Sequence, residues 1–332
     1  MIISRTPFRI SFFGGGTDYP VWYRKNGGAV LATTIDKYCY ISCRDLPPFF
    51  DHKYRILYSK IENIKKISEI EHPSVRATLG FMKNTRGLEI HHDGDLPARS
   101  GLGASSAFTV GLLNCLYTLE GKKPSKLRLA TEAIHIERDL LQESVGSQDQ
   151  VLASFGGFNK IIFGSNDRIK IEPLCILPSR LENFHSHLML YFTGLTRFAS
   201  EIAKEQIKNT PQKEKELFRI RELVDEGEKI LTGRKDLSEF GELLDEGWKI
   251  KRELSDKITN PQIDEIYETA RKAGAIGGKL LGAGGGGFML FFVAPEKQKK
   301  VREKLKKLLF VPFEFENYGS EIIFDKHDRA LR

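Results

Sequence analysis

The stretch Pro97-Ala98-Arg99-Ser100-Gly101-Leu102-Gly103-Ala104-Ser105-Ser106-Ala107 decides the fold of this 332-residue chain. Apolar residues recur at three- and four-residue spacing over residues 107–117, which predicts a helix after the loop. A glycine-rich loop that leads into a helix leaves backbone N–H groups unpaired at the positive end of the helix dipole. Such a terminus is a binding site for phosphate, and Gly101 and Gly103 would let a ligand approach the backbone closely.

Other interpretations of this loop remain open from its own residues. A plain turn with Ser105 as an ordinary N-cap fits the same pattern. The loop is not a P-loop, because no Lys follows Gly103, and it is not G-x-G-x-x-G, because Ala104 leads to two serines. The hydroxyls of Ser105 and Ser106 could reach a phosphate oxygen or a magnesium ion.

Length and composition indicate a globular protein of two domains. Hydrophobic residues make up 40% and charged residues 29%, an ordinary balance for a soluble protein. The proline-flanked segment 173–178 is the expected seam, which gives domains of residues 1–180 and 181–332. No apolar run approaches the ~20 residues of a membrane helix, and no signal peptide is recognised. A cytoplasmic location without a membrane partner is expected.

The formal net charge of +7 raises the hypothesis of nucleic-acid binding. The basic excess is heaviest over residues 296–309, where apolar residues mark one helix stripe, so the lysines are expected on a solvated face. No nucleic-acid partner is therefore expected, and the charge suits an enzyme with phosphate substrates. The four cysteines lack metal-site spacing and are expected in the core: Cys39, Cys43, Cys115 and Cys175.

Two further glycine-rich segments help to decide whether the loop binds a ligand or is a plain turn. Arg9 lies in a strand that ends at Gly14-Gly15-Gly16-Thr17-Asp18, where Asp18 could accept hydrogen bonds from sugar hydroxyls. A simple turn with Asp18 bonded to its own backbone is the alternative. Four successive glycines within Lys279–Phe288 exceed what a hairpin requires, which favours a floor beneath a ligand.

Two acidic residues are candidates for chemistry. Glu137 flanks the apolar face of a helix predicted over Ser125–Gln142, and a buried carboxylate there needs a cation or a donor. Asp149 lies between two amides in Gly146-Ser147-Gln148-Asp149-Gln150, an arrangement that suits a base directed at a hydroxyl. A solvated turn is the simpler interpretation of that second segment.

The three segments Arg5–Tyr19, Pro97–Ala107 and Lys279–Phe288, in this order, resemble the GHMP kinase superfamily of galactokinase, homoserine kinase, mevalonate kinase and phosphomevalonate kinase. The resemblance implies an α+β fold of two domains. The first would be a ribosomal-protein-like α/β domain with a left-handed βαβ unit, and the second a ferredoxin-like domain. The active site would lie in the cleft between them.

The resemblance also implies residue roles, with ATP and Mg²⁺ as cofactors. Ser105 and Glu137 would be magnesium ligands, Asp149 the catalytic carboxylate, and Arg9 a neighbour of Asp149 and of the transferred phosphoryl group. The ATP phosphates would be held by Pro97, Arg99, Ser100, Gly101, Leu102, Gly103, Ala104, Ser105 and Ser106. The sugar would be bound by Gly15, Gly16, Thr17, Asp18, Gly146, Gln148, Arg197, Gly284, Gly285 and Gly286.

Within the superfamily, residues 4–18, 146–150 and 192–197 are most similar to the D-glycero-D-manno-heptose 7-phosphate kinases. This implies phosphorylation of the anomeric hydroxyl to the 1,7-bisphosphate, for nucleotide-activated heptose synthesis. The partners would be the sugar phosphate and ATP, and the protein a monomer or homodimer. Candidates for the distal phosphate are Arg197, Lys37 and Arg44.

Three alternatives remain beside this interpretation. Fucokinase-type enzymes share much of the pattern, so a 1-kinase for another sugar is one of them. Gly15-Gly16 stands where galactokinases have Glu-His, which argues against galactose. A catalytically silent sugar or nucleotide sensor on the same fold is the second alternative, although Arg9, Ser105, Glu137 and Asp149 together argue against silence. The third, nucleic-acid binding, is the least favoured.

Overall fold

The computed structural model describes residues 1–98, 100–195 and 199–326. The strands are β1 Ile2–Phe13, β2 Gly28–Asp45, β3 Tyr54–Leu57, β4 Ile61–Ile64, β5 Leu88–Gly94, β6 Phe158–Phe163, β7 Ile169–Pro173, β8 Leu188–Phe192, β9 Ala275–Leu280, β10 Phe288–Val293, β11 Leu309–Phe310, β12 Phe315–Glu316 and β13 Glu321–Asp325. The helices are α1 Pro20–Asn26, α2 Pro73–Phe81, α3 Ala104–Leu119, α4 Lys126–Ile134, α5 Gln148–Phe155, α6 Pro178–Ser186, α7 Ala199–Asn209, α8 Glu214–Thr232, α9 Ser238–Glu253, α10 Pro261–Ala273 and α11 Gln298–Lys304.

The first sheet is built around the long hairpin of β1 and β2. Its strand order is β13-β1-β2-β5-β3-β4. Strands β6 and β12 also pair with β2, β7 pairs with β6, and β3 with β5 is a parallel pair. Helix α3 packs across β1 and β2. It is buried on nearly every side, which explains why its sequence contains no charged residue. The helix that follows the predicted phosphate loop is therefore the central helix of this half of the protein.

The second sheet is antiparallel, in the order β11-β8-β10-β9. Helices α9 and α10 pack on β9, and α8 packs on α9. Strand β10 is buried at all six positions, because its two faces are covered. Aromatic rings from both halves meet between the sheets, where Phe12 of β1 stacks on Phe158 and touches Phe184 and Phe240 edge-on.

Most predicted elements are confirmed, and some differ. The helix predicted over Ser125–Gln142 is α4 followed by a π-helical turn at His135–Leu140. Helix α7 had no prediction, and the basic segment 296–309 forms only the short helix α11. Of the cysteines expected in the core, three are buried, and Cys175 is exposed because it lies in the connection between β7 and α6.

The last strands of the chain return to the first sheet. Phe315 of β12 pairs with Ile35, and Glu321 of β13 pairs with Arg5. Both strands lie within residues 181–332, the expected second domain, yet they hydrogen-bond to β2 and β1 of the first sheet. The boundary at residue 180 stays a prediction. No helix in the described part of the chain has the length and hydropathy needed to cross a membrane.

Candidate active site

A cleft of about 430 Å³ lies where the two halves meet, a size that suits small-molecule substrates. The end of β1, the loop before α3, the start of α5, helices α7 and α9 and strand β9 all contribute to its lining. The lining includes Arg9, Gly15, Gly16, Asp18, Ser100, Gly101, Gly103, Ala104, Ser105, Ser106, Gly146, Gln148, Asp149, Lys251, Lys279 and Gly282. Residues from all three glycine-rich segments therefore share one cavity.

The loop before α3 has the backbone of an anion site. Gly103 occupies the N-cap position in the left-handed conformation, and no side chain caps the helix. The first N–H groups of α3 therefore face the cleft with the helix dipole behind them, as phosphate binding requires. The loop is tied to β1, because Arg9 N–H donates to Leu102 O at 3.0 Å.

Arg9 and Asp149 form a two-pronged ion pair in the cleft. Arg9 Nε donates to Asp149 Oδ1 at 2.8 Å, and Nη2 donates to Oδ2 at 2.7 Å. The third guanidinium nitrogen donates to Gly101 O at 2.7 Å. The Arg9 side chain is 6% exposed and that of Asp149 24%, so the pair is fixed in position while Asp149 remains accessible to a ligand.

Asp18 is buried in the cleft lining, near enough to Asp149 to feel its charge. Its Oδ1 accepts from Gly16 N–H at 3.0 Å, and its Oδ2 accepts from Gln148 Nε2 at 3.0 Å. A Cβ on Gly146 would lie 1.9 Å from Asp18 Oδ2, so only glycine allows this approach. Burial, together with the charge of Asp149, raises the pKa of Asp18.

Glu137 is fully buried below the start of α3, in the π-helical turn. Its Oε2 accepts from Ser106 Oγ at 2.8 Å and from Gln150 Nε2 at 2.6 Å, and its Oε1 has no partner among the described residues. Burial raises the pKa of Glu137 to about 7, against the hydrogen bonds that lower it. A carboxylate that is buried away from water, with one oxygen that accepts no hydrogen bond, is suited to bind a cation.

The structure adds a distinction between the two serines. Ser106 is the one bonded to Glu137, whereas Ser105, the predicted magnesium ligand, is exposed at the cleft. No group of three or more His, Cys, Asp or Glu in the described part of the chain could hold a metal ion. A magnesium ion would therefore need nucleotide phosphate oxygens to complete its ligands, which is its usual mode in kinases.

Several predicted site residues lie outside the cleft lining. Gly284 and Gly286 are buried, and an added Cβ would lie 2.7 Å from the Ile258 backbone and 2.8 Å from Leu195. With Gly285, they pack against protein rather than form a floor for a ligand, a task that falls to Gly282 and Ala283. Thr17, Leu102 and Pro97 do not line the cleft either, and Glu137 lies buried behind Ser106, which does. Arg99 and Arg197 lie outside the described residues.

Sequence reasoning missed two lysines in the cleft, Lys251 of α9 and Lys279 of β9. Lys279 entered the prediction only as the start of a glycine-rich segment, and Lys251 lies in a charged helix two residues after another lysine, Lys249. Two of the residues proposed for the distal phosphate, Lys37 and Arg44, pair with Asp36 and Glu89 outside the cleft lining. The position of Lys251 on α9, one turn after Trp248 and two turns after Leu244, places it on the buried face, and a helical projection would have shown this.

Two family models match the chain. Residues 67–157 match the GHMP kinases N terminal domain, and residues 228–309 match GHMP kinases C terminal. The D-glycero-alpha-D-manno-heptose 7-phosphate kinase of Campylobacter jejuni is 32% identical over 92% of this chain and 93% of its own. The bifunctional fucokinase/GDP-fucose pyrophosphorylase of Arabidopsis thaliana is 26% identical over 91% of this chain, but over only 31% of its own.

Solved structures agree in fold. A D-glycero-D-manno-heptose 1-phosphate kinase from Bacteroides thetaiotaomicron superposes with a TM-score of 0.73 at 25% identity, over 98% of this chain and 100% of that one. Galactokinase from Lactococcus lactis gives 0.75 at 19% identity, over 96% of this chain and 94% of that one, which supports the fold alone. The two-domain α+β fold with one cleft between the halves was thus predicted correctly from the sequence. The cleft combines the anion site at the start of α3 with the Arg9–Asp149 pair. The family models and the heptose 7-phosphate kinase relative show that this chain belongs to the GHMP kinases and is an ATP-dependent sugar kinase.

Proposed function

We propose that the protein transfers the γ-phosphoryl group of ATP to the anomeric hydroxyl of D-glycero-D-manno-heptose 7-phosphate and forms the 1,7-bisphosphate. The observation that carries the proposal is that the Arg9–Asp149 pair lines one cleft together with the start of α3 and the buried Asp18. This arrangement presents a carboxylate to an acceptor hydroxyl and a guanidinium to a phosphoryl group in one cleft. The similarity to the Campylobacter jejuni heptose 7-phosphate kinase supports the choice of sugar.

Asp149 has the role of orienting the acceptor. Its carboxylate accepts the proton of the anomeric hydroxyl as the new O–P bond forms and the bond from the γ-phosphorus to the β,γ-bridging oxygen of ATP breaks. Asp18, which is held by hydrogen bonds from Gln148 and Gly16, accepts hydrogen bonds from other hydroxyls of the sugar and so fixes the orientation of the ring. The glycines at 15 and 16 leave room for the sugar, because they carry no side chain into the cleft.

The phosphoryl group is stabilised by positive charge and N–H donors. Phosphoryl transfer has a loose transition state, so positioning and charge neutralisation supply most of its acceleration. The N–H groups at the start of α3 and the Arg9 guanidinium face the same space. Magnesium, when bound, neutralises phosphate charge, and Glu137 with Ser106 would hold it, while Ser105 is placed to contact phosphate oxygens.

The test is ADP release with Mg-ATP and a panel of sugars, each offered free and as its terminal phosphate. We expect turnover on D-glycero-D-manno-heptose 7-phosphate, with a phosphorus NMR signal for a new anomeric phosphate. Turnover on free fucose but not on the heptose phosphate would contradict the substrate assignment and support the fucokinase-like alternative. A new phosphate at any other position of the heptose would contradict the proposed acceptor.

A further inference from the structure

Lys251 and Lys279, here called the lysine pair, lie in the cleft without an acidic partner. Lys251 Nζ donates to Leu280 O at 3.0 Å and to Gly282 O at 2.5 Å, and Lys279 Nζ donates to Phe12 O at 2.6 Å. Among the described residues, neither ammonium group forms an ion pair with a carboxylate. Lys251 also lies 5.9 Å from the ring centre of Trp248.

Such an arrangement is unfavourable without an anion. Burial, with the added repulsion of Arg9, lowers the pKa of Lys251 to about 7, and burial with the charges of Lys251 and Arg9 lowers that of Lys279 well below its usual value. Backbone carbonyls satisfy some of the ammonium protons but carry no full negative charge. Asp149 is already engaged on both oxygens by Arg9, so it does not compensate the lysine pair.

The neighbours of the lysine pair belong to both parts of the cleft. Gly282, the acceptor of Lys251, packs against Gly101 of the phosphate loop, and other neighbours belong to the segment proposed to bind the sugar. Phe12, whose carbonyl binds Lys279, is two residues before the Gly14–Asp18 segment. Helix α9, which carries Lys251, is followed by Leu254, and a Cβ on Gly16 would lie 3.8 Å from its side chain. The ATP phosphates have their own donors at the start of α3.

We propose that the lysine pair binds the terminal phosphate of the sugar substrate, the group that distinguishes a sugar phosphate from the free sugar. This inference rests on the proposed function and names its specificity determinant. A phosphate dianion would accept hydrogen bonds from both ammonium groups and would remove the unbalanced charge between them. The chemistry it recognises is a phosphate monoester, which the γ-phosphate of ATP also resembles, so the test must separate the two sources.

The variant to test is Lys251→Met, because Lys279 bridges the two halves and its loss could impair folding. Lys249→Met is the matched control, since Lys249 lies on the same helix, is mostly exposed and does not line the cleft. The measurement is kcat/KM for heptose 7-phosphate and for free heptose, together with KM for ATP. A charge-assisted hydrogen bond corresponds to roughly 10- to 100-fold, so Lys251→Met should reduce the preference for the phosphorylated sugar by that factor.

Binding of inorganic phosphate provides a test without turnover. With the nucleotide site filled by Mg-AMPPNP, titration calorimetry should show phosphate binding to the wild type and to Lys249→Met, and at least tenfold weaker binding to Lys251→Met. Equal losses on both sugars with a raised KM for ATP would overturn the inference and assign Lys251 to the ATP phosphates. If no sugar is phosphorylated, the proposed function fails, whereas absence of phosphate binding to active wild-type protein refutes the lysine pair alone.

Discussion

Replacing Glu137 with glutamine should stabilise the protein without ligands while it impairs catalysis. Glu137 is completely buried, and burial raises its pKa from 4.5 to about 7. A glutamine oxygen can accept the hydrogen bonds from Ser106 and Gln150, and the amide nitrogen would take the place of Oε1, which has no described partner. The variant keeps the shape of the side chain and removes the cost of a dry negative charge.

The size and sign of this effect follow from the pKa. Because the folded pKa exceeds the unfolded one, the folded protein binds the proton more tightly between pH 4.5 and 7, so this group lowers stability as pH rises through that window. Above pH 7 the full free-energy cost of burying the Glu137 charge is present. A pKa shift from 4.5 to about 7 corresponds to about 3 kcal/mol of folding stability. At pH 5 the cost is less than about 1 kcal/mol by the same relation.

Thermal denaturation at pH 5 and pH 8 measures the difference. We expect Glu137→Gln to raise Tm by a few degrees at pH 8 and by much less at pH 5. Glu132→Gln is the matched control, since Glu132 lies on α4 and pairs with Arg128 and Tyr117, so its loss brings no gain at either pH. Mg-AMPPNP should stabilise the wild type more than Glu137→Gln, and kinase activity should fall by at least about tenfold. A Glu137→Gln protein that is less stable at pH 8, or fully active, would refute this reasoning.

Three other substitutions test the remaining contacts. Asp149→Asn should reduce kcat by about 100-fold or more and lower Tm, because it leaves the buried Arg9 without its counter-charge; wild-type turnover would remove Asp149 from the mechanism. Gly146→Ala forces Asp18 from its place, so the KM for the sugar should rise about tenfold with that for ATP unchanged, and an unaltered sugar KM would contradict the assigned role of Asp18. Ser106→Ala should raise the magnesium concentration needed for half-maximal rate more than Ser105→Ala does, and the reverse order would restore Ser105 as the metal ligand.

Local sequence patterns predicted much of this architecture. The periodicity after the glycine loop predicted α3, and the strand predicted to carry Arg9 and to end at Gly14 is β1. Arg9 and Asp149 are 140 residues apart and came together only through the family resemblance, since periodicity carries no information on such a contact. The position of Glu137 beside the apolar face of its helix correctly indicated that the side chain is buried, because solvated carboxylates lie on the polar face of a helix.

The features that were not predicted depend on tertiary packing. A lysine in an amphipathic helix is usually solvated, and Lys251 differs because α9 lies against the glycine-rich strand end at Leu280 and Gly282. The difference between Ser105 and Ser106 is one helical step of about 100° and follows from the way α3 is seated over Glu137. Gly284 and Gly286 are required by the close approach of Ile258 and Leu195, and no local sequence pattern distinguishes such a neighbour from a ligand.

The return of β13 to β1 has a consequence for how the protein is made. Ile2 pairs with Asp325, and the Thr6 hydroxyl donates to that of Ser320, a residue 314 positions later. During synthesis on the ribosome, β1 therefore emerges long before β13. Until β13 is made, one edge of β1 has no partner strand, and unpaired edges are prone to mispair. Contacts of such large sequence separation slow folding. The first sheet, whose strand β1 also lines the cleft, can be completed only after Asp325 has been synthesised.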